Sequence, residues 1–254
     1  MRIIIITQNE PFYLASNLHY LLKSIPSHSK IVGCVLSDAS PFGKKENFLQ
    51  KVKKTYDTFG IRFFLHYTMK FLKSQLNKNR KLDHILEKFN VPIIKLDKSI
   101  NHKESVSHIK NYQPDLLISI LGNQIFKEQI FNLAPKGCLN LHTALLPKYR
   151  GLMPTFWVLK NDENHTGVSV FYVDKGIDSG PILVQEKVKI GDRTQEELIE
   201  HTKKIGMDCI LRAIQLIHDD SIELIENDTR EMTYYTFPTK KDVKIFKEKG
   251  KLFY

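Results

Sequence analysis

Between positions 140 and 180 the chain sets Asn140 and His142 two residues apart in a short apolar run, then Leu145-Leu146-Pro147-Lys148-Tyr149-Arg150-Gly151, then Asp178-Ser179-Gly180. Alternate positions of a strand face the same side, so an amide and an imidazole placed this way converge on one pocket. An acid in a following loop can join them. An imidazole titrates near neutrality and suits general acid/base work, an amide can donate to a developing oxyanion, and a carboxylate can hold the imidazole. Such a set suits acyl transfer. Composition and spacing leave plainer roles open: His142 as a satisfied structural histidine, Asn140 as a turn cap, Asp178 as a turn residue before Gly180.

Other chemistries are poorly served. Cys138 lies in an apolar strand segment and no Gly-x-Ser-x-Gly elbow occurs, which counts against a covalent nucleophile. After the first apolar run stands Gln8-Asn9-Glu10-Pro11, where a glycine-rich phosphate loop would otherwise be. Cys34, Cys138 and Cys209 show neither metal-ligand spacing nor a disulfide framework, so no metal and a reducing, cytoplasmic setting are expected.

The elements that must position the trio are legible as patterns. Apolar runs at Arg2–Thr7, Lys30–Leu36, Val91–Leu96, Asp115–Ile120 and Gly137–His142 alternate with helical patterns at Tyr13–Ile25 and Glu104–Asn111. This predicts a doubly wound, mostly parallel, Rossmann-like α/β sheet. Ligands of such sheets sit at the carboxyl ends of the strands, which puts the residues after Ile120 and Leu141 where chemistry is expected. Thr166–Val173 and Pro181–Ile190 read as strands around the Asp174–Gly180 loop, and Thr194–Ile217 as a long amphipathic helix capped by Asp192 or Thr194. A basic, aromatic stretch from Lys44 to Lys81 reads as helices inserted beside the sheet. The organisation expected is a catalytic domain over 1–220 with a basic helical insertion at about 44–85, and a short C-terminal appendage over 221–254.

Across 254 residues, 38 Lys and Arg face 28 Asp and Glu, for a net charge of +10. That balance favours anionic partners such as nucleotides, phosphosugars, folate polyglutamates or RNA without choosing among them. No run approaches the roughly 20 apolar residues of a membrane helix, and the isoleucines after Arg2 are too few for a signal sequence. A soluble protein without a membrane partner is expected.

The stretch from Gly137 to Val188 resembles the 10-formyltetrahydrofolate-dependent formyltransferases, which include glycinamide ribonucleotide, methionyl-tRNA and nucleotide-sugar formyltransferases. Its markers are Asn-x-His, then Leu-Leu-Pro, Arg-Gly, Thr-Gly-Val and Asp-x-Gly, in order; the likeness loosens over Leu116–Leu133 and the first strands. The resemblance implies that Asn140, His142 and Asp178 are a catalytic trio. An acceptor amine would attack the formyl carbon while Asn140 and His142 stabilise the oxyanion and Asp178 orients His142. It also implies a pterin site between the loop Leu121, Gly122, Asn123, Gln124 and Ile125 and the loop holding Asp174, Gly176 and Ile177, with Ile125 and Leu146 as apolar walls. Arg150 and Gly151 would stand at the acceptor. Core packing for Ile125 and Leu146, and loop pinning for Arg150, stay open.

Two departures matter. Ala144 replaces the family's usual serine before Leu-Leu-Pro, and the phosphate loop of the purine-pathway members is missing at Gln8–Tyr13. The second weighs against a ribonucleotide acceptor. The chain also ends about where the methionyl-tRNA members begin a further β-barrel domain, which weighs against tRNA, and the Tyr234–Thr239 tail resembles one seen in members of unassigned or sugar-modifying type. The activity expected is formyl transfer from 10-formyltetrahydrofolate to the amine of a small acceptor, a nucleotide-linked amino sugar. Methionyl-tRNA and glycinamide ribonucleotide are the alternatives within the family, and a non-catalytic RNA-binding or scaffold protein the alternative outside it. A homodimer is left open.

Overall fold

The structure, a computed structural model, describes residues 1–38, 47–77, 81–122 and 124–254. Its first strand, β1 (Arg2–Gln8), has Ile3, Ile4 and Ile5 wholly buried. Branched side chains suit a pleated strand, and burying consecutive residues requires cover on both faces of the sheet. The helix α1 (Leu14–Ser24) supplies one cover through Leu14, Leu18, Leu21 and Leu22, spaced along a single helix face. Strand β2 (Lys30–Ser37) then lies parallel to β1.

The insertion forms α2 (Phe48–Phe59), opened by a capping box between Asn47 and Gln50, and α3 (Ile61–Leu76). The expected insertion also takes in positions 44–46 and 78–80, which lie outside the described residues. There follow α4 (Leu82–Lys88), β3 (Ile93–Ile94), α5 (Lys103–Lys110), β4 (Leu116–Ile120), α6 (Glu128–Phe131) and β5 (Cys138–His142). Only two residues of the expected Val91–Leu96 strand join the ladder. This is the edge of the sheet, and Pro92 has no N–H to donate. The chain continues through β6 (Arg150–Gly151), α7 (Pro154–Lys160), β7 (His165–Tyr172), β8 (Ile182–Lys189), α8 (Gln195–His218), β9 (Tyr234–Tyr235) and α9 (Lys240–Glu248).

The main sheet runs β3-β2-β1-β4-β5-β7-β8, doubly wound as expected, with β7 alone reversed against its neighbours β5 and β8. On one face α1 and α8 pack Leu18, Ile210 and Ile214 against Ile3, Ile5 and Leu139. On the other, Ile109 of α5 and Ile130 of α6 pack against Ile4, Ile6 and Leu117. The alternation along β1 thus feeds two core layers.

The segment after α8 is tied into the body. Phe246 of α9 and Phe253 stack with Phe156 of α7 in a second core that also holds Trp157 of α7 and Phe59 of α2. The lysine-rich end is amphipathic: α9 is capped by Thr239 and Asp242 and buries Val243 and Phe246, three residues apart. Strand β9 pairs Tyr234 and Tyr235 with Arg150 and Gly151. The insertion is fastened at α8, where Glu196 accepts from Lys70 and, at 2.9 Å, pairs with His66 Nε2, both on α3.

Candidate active site

Parallel strands β1, β4 and β5 end at a cavity of about 690 Å³, a volume that fits a drug-sized ligand. Asn140 and His142 leave β5 on the same side and both line it, together with Asp178 from the β7–β8 loop. The Asn140 carboxamide is half-buried at the cavity and takes no hydrogen bond from another described residue. It is free to donate to a ligand.

His142 is buried, and its Nε2 donates to the Tyr149 carbonyl at 2.8 Å. A carbonyl can only accept, so Nε2 carries hydrogen and Nδ1 is bare in the neutral ring. Nδ1 faces Asp178 Oδ2 across 3.8 Å, too far for a hydrogen bond. The direct hydrogen bond that holds the ring comes from Tyr149, and the Asp178 expected to orient His142 lies beyond hydrogen-bond reach of it. What Asp178 presents to the ring is its charge. If His142 takes a proton at Nδ1, a carboxylate at this distance is worth about 4 kcal/mol at an effective dielectric near 20.

Asp178 is itself held from three sides. Its Oδ2 accepts the Gly151 N–H at 2.9 Å, its carbonyl accepts from Asn227 Nδ2 at 2.9 Å, and its backbone sits at φ 50°, a left-handed conformation that Asp tolerates. Gly151 has φ 95°, and a Cβ there would lie 2.2 Å from the Tyr235 carbonyl oxygen. Gly180 ends the same loop, where a Cβ would lie 1.8 Å from the Tyr172 carbonyl oxygen. The Arg-Gly and Asp-x-Gly markers thus have a steric cause.

Arg150 does not line the cavity. It is buried, and its Nη2 donates to the Asn227 side chain at 2.8 Å and its carbonyl at 3.3 Å, while its Nε has no partner among the described residues. Burial pulls its pKa down against the opposing charges of Asp178 and Asp174. Of the two roles left open, the geometry is that of loop pinning. Leu146 is also away from the cavity, packed with Phe171 and Ile182.

Leu121, Gly122, Gln124 and Ile125 line one part of the cavity, and Asp174, Gly176 and Ile177 another. Asn123 lies outside the described residues. Asn101 braces the first loop by donating to the Ile125 carbonyl at 2.8 Å, and Asp174 braces the second by accepting from Gly176 N–H at 3.0 Å and from the Ser179 hydroxyl. Ala144 is fully buried among aromatic side chains, so a hydroxyl there would not reach the cavity. Cys138 is wholly buried and its thiol pKa is pushed up, which suits packing.

Sequence reasoning missed the residues that hold the site. Ser169 donates to the Ala144 carbonyl at 2.7 Å and accepts from the Leu146 N–H at 3.2 Å, while Gln185 donates to Ser169 and to the Leu146 carbonyl. Thr233 accepts the Tyr149 N–H at 2.8 Å. Asn227 links Arg150, Asp178 and Gly180. The available signal was weak: a polar residue inside an apolar alternation marked Ser169, and nothing local marked Asn227. Lys203 of α8 also lines the cavity, although its sequence context does not set it apart from Lys204.

Fold and site together define a doubly wound α/β protein with an amide, an imidazole and a carboxylate gathered at the carboxyl edge of its strands. The chain belongs to the formyl transferase family, whose sequence model matches residues 1–214. It is similar to the methionyl-tRNA formyltransferase of Kosmotoga olearia, 34% identical over 159 residues covering 62% of this chain and 51% of that protein. The methionyl-tRNA formyltransferase of Thermotoga maritima is 34% identical over 164 residues, 63% of this chain and 51% of that one. The chain thus spans about half the length of the curated relatives it matches. Among solved structures, a sugar N-formyltransferase from a Shewanella species superposes with a TM-score of 0.60 at 17% identity, over 93% of this chain and 77% of that chain. A phosphoribosylglycinamide formyltransferase from Anaplasma phagocytophilum superposes with a TM-score of 0.63 at 18% identity, over 94% and 99%. At these identities the likeness is one of fold.

Proposed function

We propose that this chain transfers a formyl group from 10-formyltetrahydrofolate to the amine of a small acceptor, a nucleotide-linked amino sugar. The observation that carries the reading is the convergence of Asn140, His142 and Asp178 on one cavity, between loops whose backbone groups can read a pterin edge. The donor supplies the formyl carbon. As the acceptor nitrogen bonds to that carbon, the bond to the folate nitrogen breaks; the amine gives up a proton and the folate nitrogen gains one. The free Asn140 amide donates to the oxyanion forming on the formyl oxygen. His142, locked with Nδ1 bare, takes a proton there, and Asp178 stabilises the imidazolium so formed.

Two observations support a small, nucleotide-linked acceptor. Phe59, Phe63 and Tyr67 of the insertion, with Phe237 of the C-terminal segment, give the cavity an aromatic wall against which a base can pack. The amides at the start of α1 are already taken: the Glu10 carboxylate accepts from Phe12, Tyr13 and Leu14 N–H at 2.8, 2.9 and 3.0 Å. A phosphate of glycinamide ribonucleotide could not use that helix end without expelling Glu10. A second reading, methionyl-tRNA as acceptor, is favoured by the names of the relatives at 34% identity.

The test offers 10-formyltetrahydrofolate with a panel of nucleotide amino sugars, glycinamide ribonucleotide and charged initiator tRNA, and follows release of tetrahydrofolate. Turnover with an amino sugar, reduced by orders of magnitude in His142→Ala and Asp178→Asn, is the expected result. Equal turnover by the wild type and both variants would defeat the catalytic assignment, and turnover with tRNA alone would defeat the acceptor.

A further inference from the structure

Helix α3 carries two apolar faces where a surface helix ordinarily has one. Phe63 and Tyr67 turn towards the body: Phe63 stacks on Phe59, and both line the cavity. Ile61, Leu65, Met69, Leu72 and Leu76 point the other way, each between 51% and 87% exposed. At about 100° per residue these five fall within an arc of about 80°, a continuous ridge about 23 Å long. A helix packed on a protein body shows polar residues on this side, so an apolar ridge left in water is a cost that the fold does not explain.

The charges beside the ridge say what covers it. By the same spacing Arg62 and Lys73 flank it, both exposed and without an ion-pair or hydrogen-bond partner among the described residues. Lys70, nearer the body, is paired with Glu196. Helix α3 has no acidic residue, and α2 and α3 together hold six Lys and Arg against one Asp, half of the chain's net +10. A second copy would bring charge of the same sign to the contact, whereas an anionic surface is complementary. Being the outer side of a helix, the ridge is convex, a form that a fluid hydrocarbon layer accepts without a shaped groove. No helix among the described residues is long and apolar enough to cross a membrane, so the contact is with a bilayer's surface. We propose that the α3 ridge seats the protein on an anionic phospholipid bilayer, the five apolar side chains entering the boundary between headgroups and acyl chains and Arg62 and Lys73 meeting lipid phosphates. Such a seat is independent of the formyl-transfer reading, and it departs from the expectation of no membrane partner. Phe63 and Tyr67, on the opposite side of the same helix, keep their places in the cavity wall.

The test sediments the full chain with vesicles of equal parts phosphatidylglycerol and phosphatidylcholine, and with vesicles of phosphatidylcholine alone. It compares the wild type with a leucine pair, Leu65→Ser with Leu72→Ser, and a charge pair, Arg62→Gln with Lys73→Gln. All four positions are exposed, so both variants should unfold at the wild-type temperature, which verifies their fold. The wild type is expected to bind the anionic vesicles, and the leucine pair about tenfold or more weakly. The charge pair should bind several-fold more weakly, and wild-type binding should fall as salt is raised. Equal binding by the wild type and the leucine pair, or no wild-type binding to the anionic vesicles, would overturn the seat. Binding to phosphatidylcholine alone as strong as to the mixture would overturn the role of Arg62 and Lys73. A wild-type dimer in vesicle-free solution that the leucine pair dissolves would also overturn the seat and give the ridge to a second copy.

Discussion

Replacing Lys203 by methionine should make the protein more stable at neutral pH. The Lys203 pKa falls from 10.5 to about 8, mainly through burial. At about 1.4 kcal/mol per unit, holding this ammonium in the folded state costs about 3 kcal/mol. The folded protein binds fewer protons here than the unfolded chain between pH 8 and 10.5, so wild-type stability rises across that interval. Below it the cost is present in full, and above it the cost is gone. Methionine keeps the length of the stem and removes the charge, so the variant should exceed the wild type by about 2–3 kcal/mol at neutral pH. For a chain this long that corresponds to roughly 5–10 °C in Tm. Thermal and denaturant unfolding, measured at intervals from neutrality to beyond pH 10.5, check both size and sign. Equal stability at neutral pH, or a gap that does not narrow as the pH climbs, refutes the reasoning.

Three further outcomes follow from the contacts around the trio. Asn227→Ala strands the Asp178 and Gly180 carbonyls and leaves the Arg150 Nη2 only its 3.3 Å bond to the backbone carbonyl at 227, and at about 1–3 kcal/mol per buried group should cost about 2 kcal/mol or more; an unfolding free energy lowered by less than about 1 kcal/mol would contradict it. Gly151→Ala forces a side chain into a left-handed site against the Tyr235 carbonyl and should lose at least about 2 kcal/mol along with turnover, while a variant as active and stable as the wild type would argue against this geometry. Burial pushes the Glu196 carboxyl up, but hydrogen bonds from Lys70 and His66 outweigh it and leave the pKa below the ordinary 4.5. Its stabilising contribution is present above that value and lost as the pH falls through the lowered one, so Glu196→Gln should be less stable than the wild type near neutrality and converge with it in acid; a gap independent of pH would contradict this.

Much of this molecule is written along the chain. Runs such as Ile3–Ile6 and Leu116–Ile120 read as strands covered on both faces, because consecutive branched side chains are buried only there. The two-residue spacing of Asn140 and His142 sets their common face, since that period is a local property of a strand. The amphipathic α9 is hidden in the sequence because its lysines mask two apolar residues, Val243 and Phe246, whose partners lie far away along the chain. Which atom orients His142 was likewise out of reach. The Tyr149 carbonyl does so only because Thr233 holds the Tyr149 N–H, a contact across 84 residues. Arg150 turns inward because Asn227 waits for it, and Lys203 differs from Lys204 only in where α8 comes to rest. Local pattern specifies what each element is and which side of it is apolar; the partners of buried polar groups are chosen when distant segments meet, and that meeting is a property of the packed chain alone.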